Sequence, residues 1–229
     1  MQVADPVVGA AVAAHSNFAD RPINRLHNTL TFVYGVMLGS PAEAAVVARV
    51  TTHAHRRIAG ANDPDRQLWV AATLYDTAVR VYERLHGPLA PHDAEAVLAG
   101  YARLGTSLEV PESSWPSTTA GFADYWNSTV PTLEVGADAR RVAHDLFHPT
   151  TAPLWLRAVL PLASLLTASL LEPRLRDAYG MPWSRHRERR ADTAWAVIRA
   201  ITRVLPQRAL TAPSRRYLAR VRAMVSRAS

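Results

Sequence analysis

Cysteine is absent from the 229 residues, and so is lysine. Without a thiol there is no disulfide framework, no cysteine nucleophile, and no thiolate site for zinc, an iron–sulfur cluster or haem. Without lysine there is no Schiff-base chemistry and no P-loop lysine. Glycine is scarce, at 10 residues, while hydrophobic residues make up 48%. That balance excludes collagen-like, low-complexity and disordered classes. A long apolar run is also missing. The most apolar stretch, 152–171, is interrupted by Arg157, leaving 14 uncharged residues that include Pro161. About 20 are needed to span a bilayer, so this segment is expected to be a buried core helix. The first eighteen residues carry Asp5 and no basic cluster, unlike a secretory signal. A cytoplasmic location follows as the expectation.

Arginine is abundant. All 26 basic residues are arginine and the net charge is +7, unevenly spread. From Arg174 onward there are 14 arginines against Asp177, Glu188 and Asp192, a net of +11, and the preceding residues carry −4. Such a segment suits an anionic surface, and peripheral contact with a membrane stays open. The arginines are nonetheless interleaved with apolar residues at core spacing, and no helix-turn-helix pattern accompanies them. They read as a solvated helix face, with no nucleic-acid partner expected.

Apolar residues recur at helical spacing almost throughout, and no sustained two-residue alternation appears. The pattern predicts helices near 5–16, 22–38, 41–59, 65–86, 91–107, 118–128, 136–148, 153–177, 185–204 and 212–227. Breaks fall at Gly39-Ser40-Pro41, between Gly60 and Pro64, at Gly87-Pro88, between Pro111 and Pro116, at Gly180-Met181-Pro182 and at Pro206. No internal repeat or long linker divides residues 1–229. The expected fold is all-α, a single domain of roughly eight to ten helices, with 207–229 as a basic C-terminal helix.

With no cysteine, a metal or cofactor ligand would be histidine or a carboxylate. His144 and His148 stand at i,i+4, the spacing of a zinc pair. A zincin also needs a glutamate after the first histidine and a third ligand, and Pro149 ends this helix. Glu83 and His86 form one Glu-x-x-His, where a di-iron bundle needs two. His53 and His55 lie about 200° apart on a helix. With Val47, Val50, Ala54 and Ile58 as the buried stripe, His55 falls at its edge and His53 on the far side. His55 is thus the one able to reach an interior cofactor, and a single imidazole is what a proximal haem position requires. Taken alone, such a residue is more often an ordinary core or boundary histidine. Arg25 and Thr29 share one face of the preceding helix. They read either as packing and ion-pairing residues or as a guanidinium and a hydroxyl aimed into one pocket.

The order of these pieces carries a resemblance. Residues 5–18 (DPVVGAAVAAHSNF) are followed by Arg25-Leu-His-Asn-Thr29 and Val33-Tyr-Gly35. Then come His55-Arg-Arg-Ile-Ala-Gly60, Leu68-Trp-Val-Ala-Ala-Thr-Leu-Tyr-Asp76 and Tyr82-Glu-Arg-Leu-His-Gly-Pro-Leu89. Leu104-Gly105, Val110-Pro111, Pro116 and Tyr125-Trp126 complete the series. From about Asp5 to Pro206 the chain resembles the bacterial family sharing its catalytic domain with latex-clearing rubber oxygenases and the MpaB-type oxygenase. The resemblance implies a globin-like helical core, haem b as cofactor, O2 as co-substrate and an apolar, isoprenoid-like small-molecule substrate. His55 matches the proximal iron ligand. Arg25 matches the pocket arginine, in contact with cofactor and reactants, and Thr29 its partner. Trp69, Thr73 and Asp76 match a helix motif that supports the pocket. Asn28 stands where rubber oxygenases have a distal lysine, which implies a distal side that is open, water-bound or closed by His27. Thr52 and Ala71 also depart from the pattern. Relatives carry a helix ahead of the region matching Asp5-Pro6, and the resemblance implies that this helix is missing here. The alternative expectation is a haem-free or inactive relative that binds a hydrophobic small molecule.

Overall fold

The computed structural model describes residues 1–15, 22–149 and 152–228. Among these, twelve α-helices form, ten of seven residues or more, and no strand. They are α1 (Pro6–His15), α2 (Pro22–Leu38), α3 (Pro41–His55), α4 (Pro64–His86), α5 (Pro91–Thr106), α6 (Thr119–Thr129), α7 (Ala137–Phe147), α8 (Leu154–Leu170), α9 (Pro173–Ala178), α10 (Arg185–Val204), α11 (Gln207–Leu210) and α12 (Ala212–Ala228). The all-α expectation is met, and most predicted helices are found within a few residues.

Proline sets many of the starts. Helices α1 to α5 and α9 open on proline, whose fixed φ suits the first helical position and whose missing N–H would have no partner there. At α3 the start is reinforced. Ser40 accepts from the Glu43 backbone N–H, and the Glu43 carboxylate accepts from the Ser40 N–H at 2.7 Å, a complete capping box.

Two predicted helices differ in extent. The helix expected over 41–59 ends at His55, because the ladder tightens there. Ile58 N–H bonds the His55 carbonyl and Ala61 N–H the Ile58 carbonyl, both three residues back, a pattern that closes a turn instead of extending an α-helix. The helix expected over 153–177 is broken into α8 and α9. Pro173 disfavours the helical region for the residue before it, and Glu172 is held extended at ψ 146°.

The helices form two compact units. One comprises Met1–Ile23, Asp76–Pro88 and Leu133–Val204; the other comprises Asn24–Tyr75, Leu89–Thr132 and Leu205–Ser229. In the first, α1 packs on α7, and α8 packs on α7 and α10. Trp195 Nε1 donates to Ser169 Oγ at 3.0 Å, tying α10 to the end of α8. Several arginines of the basic segment serve this unit internally. Arg199 donates twice to the Arg84 carbonyl, and Arg174 to the Leu133 carbonyl. Arg176 lies 4.3 Å over the Trp183 ring.

Helix α8 corrects the expectation of a buried core helix. Leu165 and Ala168 are buried, but Leu154 is 80% exposed, and Trp155, Val159 and Leu162 are also exposed. The link to α10 lies near the C-terminal end of α8, so the partners cover its second half and leave the first half in solvent. Among the described residues, no helix is long and apolar enough to cross a membrane.

The second unit has an aromatic centre. Tyr75 and Phe122 meet edge-on at 4.5 Å, Phe122 and Trp126 stack at 5.7 Å, and Trp126 lies 5.5 Å from Trp69. Trp115 joins them and donates its buried N–H to the Leu98 carbonyl at 3.1 Å. Edge-to-face and offset pairs of this kind favour a fixed arrangement beyond simple area burial.

Candidate functional site

The proximal-ligand candidate His55 and the pocket residues Arg25 and Thr29 fall in the second unit, on α3 and α2. The two helices are joined by only Gly39 and Ser40. They meet at Gly35. A Cβ added there would lie 2.9 Å from Val47 Cγ2 and 3.2 Å from Val221 Cγ2. Glycine is what lets α2, α3 and α12 converge on this point.

From the contact, α3 runs on through a buried side. Val47 and Ala48 are buried, Thr51, Thr52 and His55 are half-buried, and Arg49, Val50, His53 and Ala54 are exposed. This shifts the stripe inferred from sequence. Val50 and Ala54 are not on it, and His55 lies in line with Val47 and Thr51 at successive i,i+4 positions. Its Nδ1 is buried. His53 faces solvent, as expected.

The turn after His55 is fastened from outside α3 by a residue that periodicity did not single out. Gln67 is 5% exposed. Its Nε2 donates to the Ala61 carbonyl at 3.1 Å and to Asn62 Oδ1 at 3.4 Å, while its Oε1 accepts from Glu109 N–H at 2.8 Å. Asn62 in turn donates to the Thr52 carbonyl. One buried amide thus connects the segment following His55 with the chain after α5. The signal was available: Gln67 stands four and eight residues before Ala71 and Tyr75 on the buried side of α4, where a polar side chain needs hydrogen-bond partners.

On α2, Leu26, Asn28 and Thr29 are exposed, and Thr31 is buried with its hydroxyl donating to the His27 carbonyl at 2.6 Å. The backbone of Arg25 belongs to α2; its side chain lies outside the described residues. Helical spacing places Arg25 and Thr29 on one face, and Thr29 is open to solvent there. His27 is held by a residue far along the chain. Its Nδ1 lies 2.7 Å from the Tyr217 hydroxyl, and the Tyr217 ring stacks on Tyr34 at 5.4 Å and 11°. Nothing local in the sequence pointed to Tyr217.

The motif on α4 divides by position. Trp69 and Thr73 are buried, and the Thr73 hydroxyl donates to the Val70 carbonyl. Arg80 Nε donates to both carboxylate oxygens of Asp76, at 2.8 and 2.9 Å. Burial raises the Asp76 pKa, against the opposing pull of Arg80. Tyr101, packed edge-on against Tyr75, is likewise raised by burial and keeps its proton. Glu43 at the start of α3 is lowered, first by the Ser40 backbone N–H and then by Arg222 of α12 at 3.1 Å.

The other histidine candidates do not assemble. His144 and His148 stack at 4.6 Å on an exposed face of α7, and Glu83 and His86 are exposed. Among the described residues, no three histidine, aspartate or glutamate side chains converge to hold a metal ion. That bears on sites built from several side chains. A haem asks less of the protein, one imidazole and apolar walls, and the inward placement of His55 fits that demand.

Residues 1–203 match the family model described as "ER-bound oxygenase mpaB/B'/Rubber oxygenase, catalytic domain". The uncharacterized protein Rv2237 of Mycobacterium tuberculosis is 33% identical over 223 residues, covering 91% of this chain and 88% of its own. The uncharacterized protein Mb2261 of Mycobacterium bovis matches with the same identity and coverage. No solved structure matches.

Proposed function

Because this chain belongs to the mpaB/rubber oxygenase catalytic-domain family, we propose that it is a haem b-dependent oxygenase with His55 as its proximal ligand. The observation that carries the reading is the position of His55, at the end of α3 on the side that begins at the buried Val47 contact. Haem, when bound, supplies the redox-active iron at which O2 is activated. The chain's own residues do the rest. Thr51 and Val47 stand one and two turns before His55 on the same side of α3. The turn fastened by Gln67 fixes the end of α3, and with it the height of the ring. Arg25, one helical turn before Thr29, brings a permanent positive charge suited to a propionate or to negative charge on a reacting oxygen. The proposal extends to an apolar, isoprenoid-like substrate, because the family's description names a rubber oxygenase.

The test is the visible spectrum of the purified chain with added hemin, before and after dithionite and carbon monoxide. The expected result is a Soret band that shifts on reduction and again on carbon monoxide. It should vanish in His55→Ala while the far-ultraviolet helical signal stays unchanged. Stoichiometric hemin retained by His55→Ala would refute the ligand assignment. No Soret band in the wild-type chain would replace the reading with a haem-free binder of hydrophobic small molecules.

A further inference from the structure

From Leu154 to Leu162 the only polar side chain of α8 is Arg157, so this half of the helix is apolar nearly all round. Such a helix calls for cover on every side, and it has cover on one. Leu156, Leu160 and Ala163 are half-buried, while Leu154, Trp155, Ala158, Val159 and Leu162 are exposed. At 100° per residue the exposed five fall within about 140° of the circumference, a continuous stripe opposite the covered residues. Further along, the same stripe does meet protein: Leu165 continues it and is buried, and Ser169 accepts from Trp195 of α10. Single apolar residues on a surface need no explanation. A contiguous stripe led by a leucine at 80% and a tryptophan at 66% exposure marks a contact surface.

Charge decides what the stripe contacts. Arg157 is exposed and stands about 60° from Leu154, at the edge of the stripe. Between 152 and 204 nine arginines stand against Glu172, Asp177, Glu188 and Asp192, a net of +5. On α10, which packs on α8, Arg185, Arg189, Arg190 and Arg203 are exposed. A second copy of the chain would bring this excess against its own kind. An anionic lipid surface matches it. Apolar side chains enter the acyl boundary, a tryptophan sits at headgroup level, and an arginine lays its stem along the apolar stripe with its guanidinium at the phosphates. No described helix is long and apolar enough to cross a bilayer, so the contact is one in which α8 lies along the surface.

We propose that the first half of α8 is a lipid-docking face. It seats the protein on an anionic membrane surface, with Leu154, Trp155, Val159 and Leu162 in the acyl boundary and Arg157 at the headgroup phosphates. The inference uses the first unit alone and is independent of the haem reading, because neither His55 nor α3 enters it.

The test mixes the full chain with sucrose-loaded vesicles, either of phosphatidylcholine alone or of phosphatidylcholine and phosphatidylglycerol in equal parts, and reads the bound fraction by sedimentation. Wild type, Leu154→Ser, Trp155→Ser, Arg157→Gln and Val204→Ser are compared, with far-ultraviolet circular dichroism to verify that these exposed replacements leave the helices intact. We expect the wild-type chain to prefer the anionic vesicles and to bind them less tightly as salt rises. Trp155→Ser should weaken binding roughly tenfold or more, the scale of one large apolar side chain withdrawn from the acyl boundary, and Leu154→Ser should do the same. Arg157→Gln should weaken binding to the anionic vesicles about fivefold and leave binding to phosphatidylcholine unchanged. Val204→Ser, exposed on α10, should bind as wild type does. A wild-type chain that stays in the supernatant with both vesicles would overturn the proposal. So would equal binding by wild type, Leu154→Ser and Trp155→Ser, or a loss in Val204→Ser as large as in Trp155→Ser, since either puts the lipid contact elsewhere. A lipid-free wild-type dimer that Trp155→Ser dissociates, seen by sedimentation equilibrium, would also overturn it and assign the stripe to a second copy.

Discussion

Replacing Val221 by alanine removes two methyl groups from a side chain with no solvent exposure, at the point where α12 meets Gly35 and Val47. The transfer contribution is about 0.8 kcal/mol per methyl, near 1.6 kcal/mol in all. A cavity term of order 1 kcal/mol adds to it, because stiff valine and glycine neighbours on helical backbones relax little. The expected loss is therefore about 2–3 kcal/mol. For a chain of this length that lowers the thermal midpoint by roughly 5–10 °C. The assay is a circular dichroism melt at 222 nm, paired with amide exchange to show where protection is lost. Faster exchange should concentrate in α12, α2 and α3. The matched control is Val204→Ala, 81% exposed at the end of α10, which should stay within about 0.5 kcal/mol. A Val221→Ala midpoint indistinguishable from that control would refute the docking of α12 on the helix pair.

Two further outcomes follow from the termini and turns of the helices. The Glu43 carboxylate is held below its ordinary pKa of 4.5 by the Ser40 N–H and then by Arg222. A depressed carboxylate stabilises the fold above 4.5, and that contribution is lost as pH falls through the folded value. The difference in melting temperature between wild type and Glu43→Gln should thus be constant near neutrality and close in acid; a gap that widens below 4.5 would contradict the assignment. Gly180 closes α9 with φ +67°, Met181 N–H bonding the Arg176 carbonyl, and no heavy atom lies within 4 Å of an added Cβ. Gly180→Ala should therefore cost about 1 kcal/mol from backbone conformation alone, measured by urea denaturation, and Gly180→Asn should cost less.

Much of the helical punctuation was legible because it depends on chemistry within a few residues. Ser40-Pro41 with Glu43, Pro64, Pro91 and Gly180 each act on their own backbone neighbourhood. The face of α3 was harder. Val50, Ala54 and Ile58 are apolar at helical spacing, and only contact with α2 and α12 decides that Val47, Ala48 and Thr51 are the covered side. Of the two histidines near the end of α3, His55 is half-buried and His53 exposed, although the stripe on which His55 lies differs from the one read in the sequence. The apolar first half of α8 misled for the opposite reason. Composition reports how well a segment would tolerate burial, whereas cover is supplied by partners, and the first half of α8 is left exposed. Tyr217 was missed because its hydrogen bond to His27 closes over 190 residues. No periodicity encodes such a pairing.

The meeting of three helices at Gly35 bears on where this protein could be shortened. The family pattern stops at residue 203, which invites a cut between α10 and α11. Such a cut would take Val221 away from Val47 of α3, free Glu43 from Arg222 and remove the Tyr217 hydroxyl from His27. The recurring sequence unit and the cooperative folding unit therefore have different edges. A fragment ended at 203 would keep every motif by which the family is recognised and lose the wall that holds two of its helices in register.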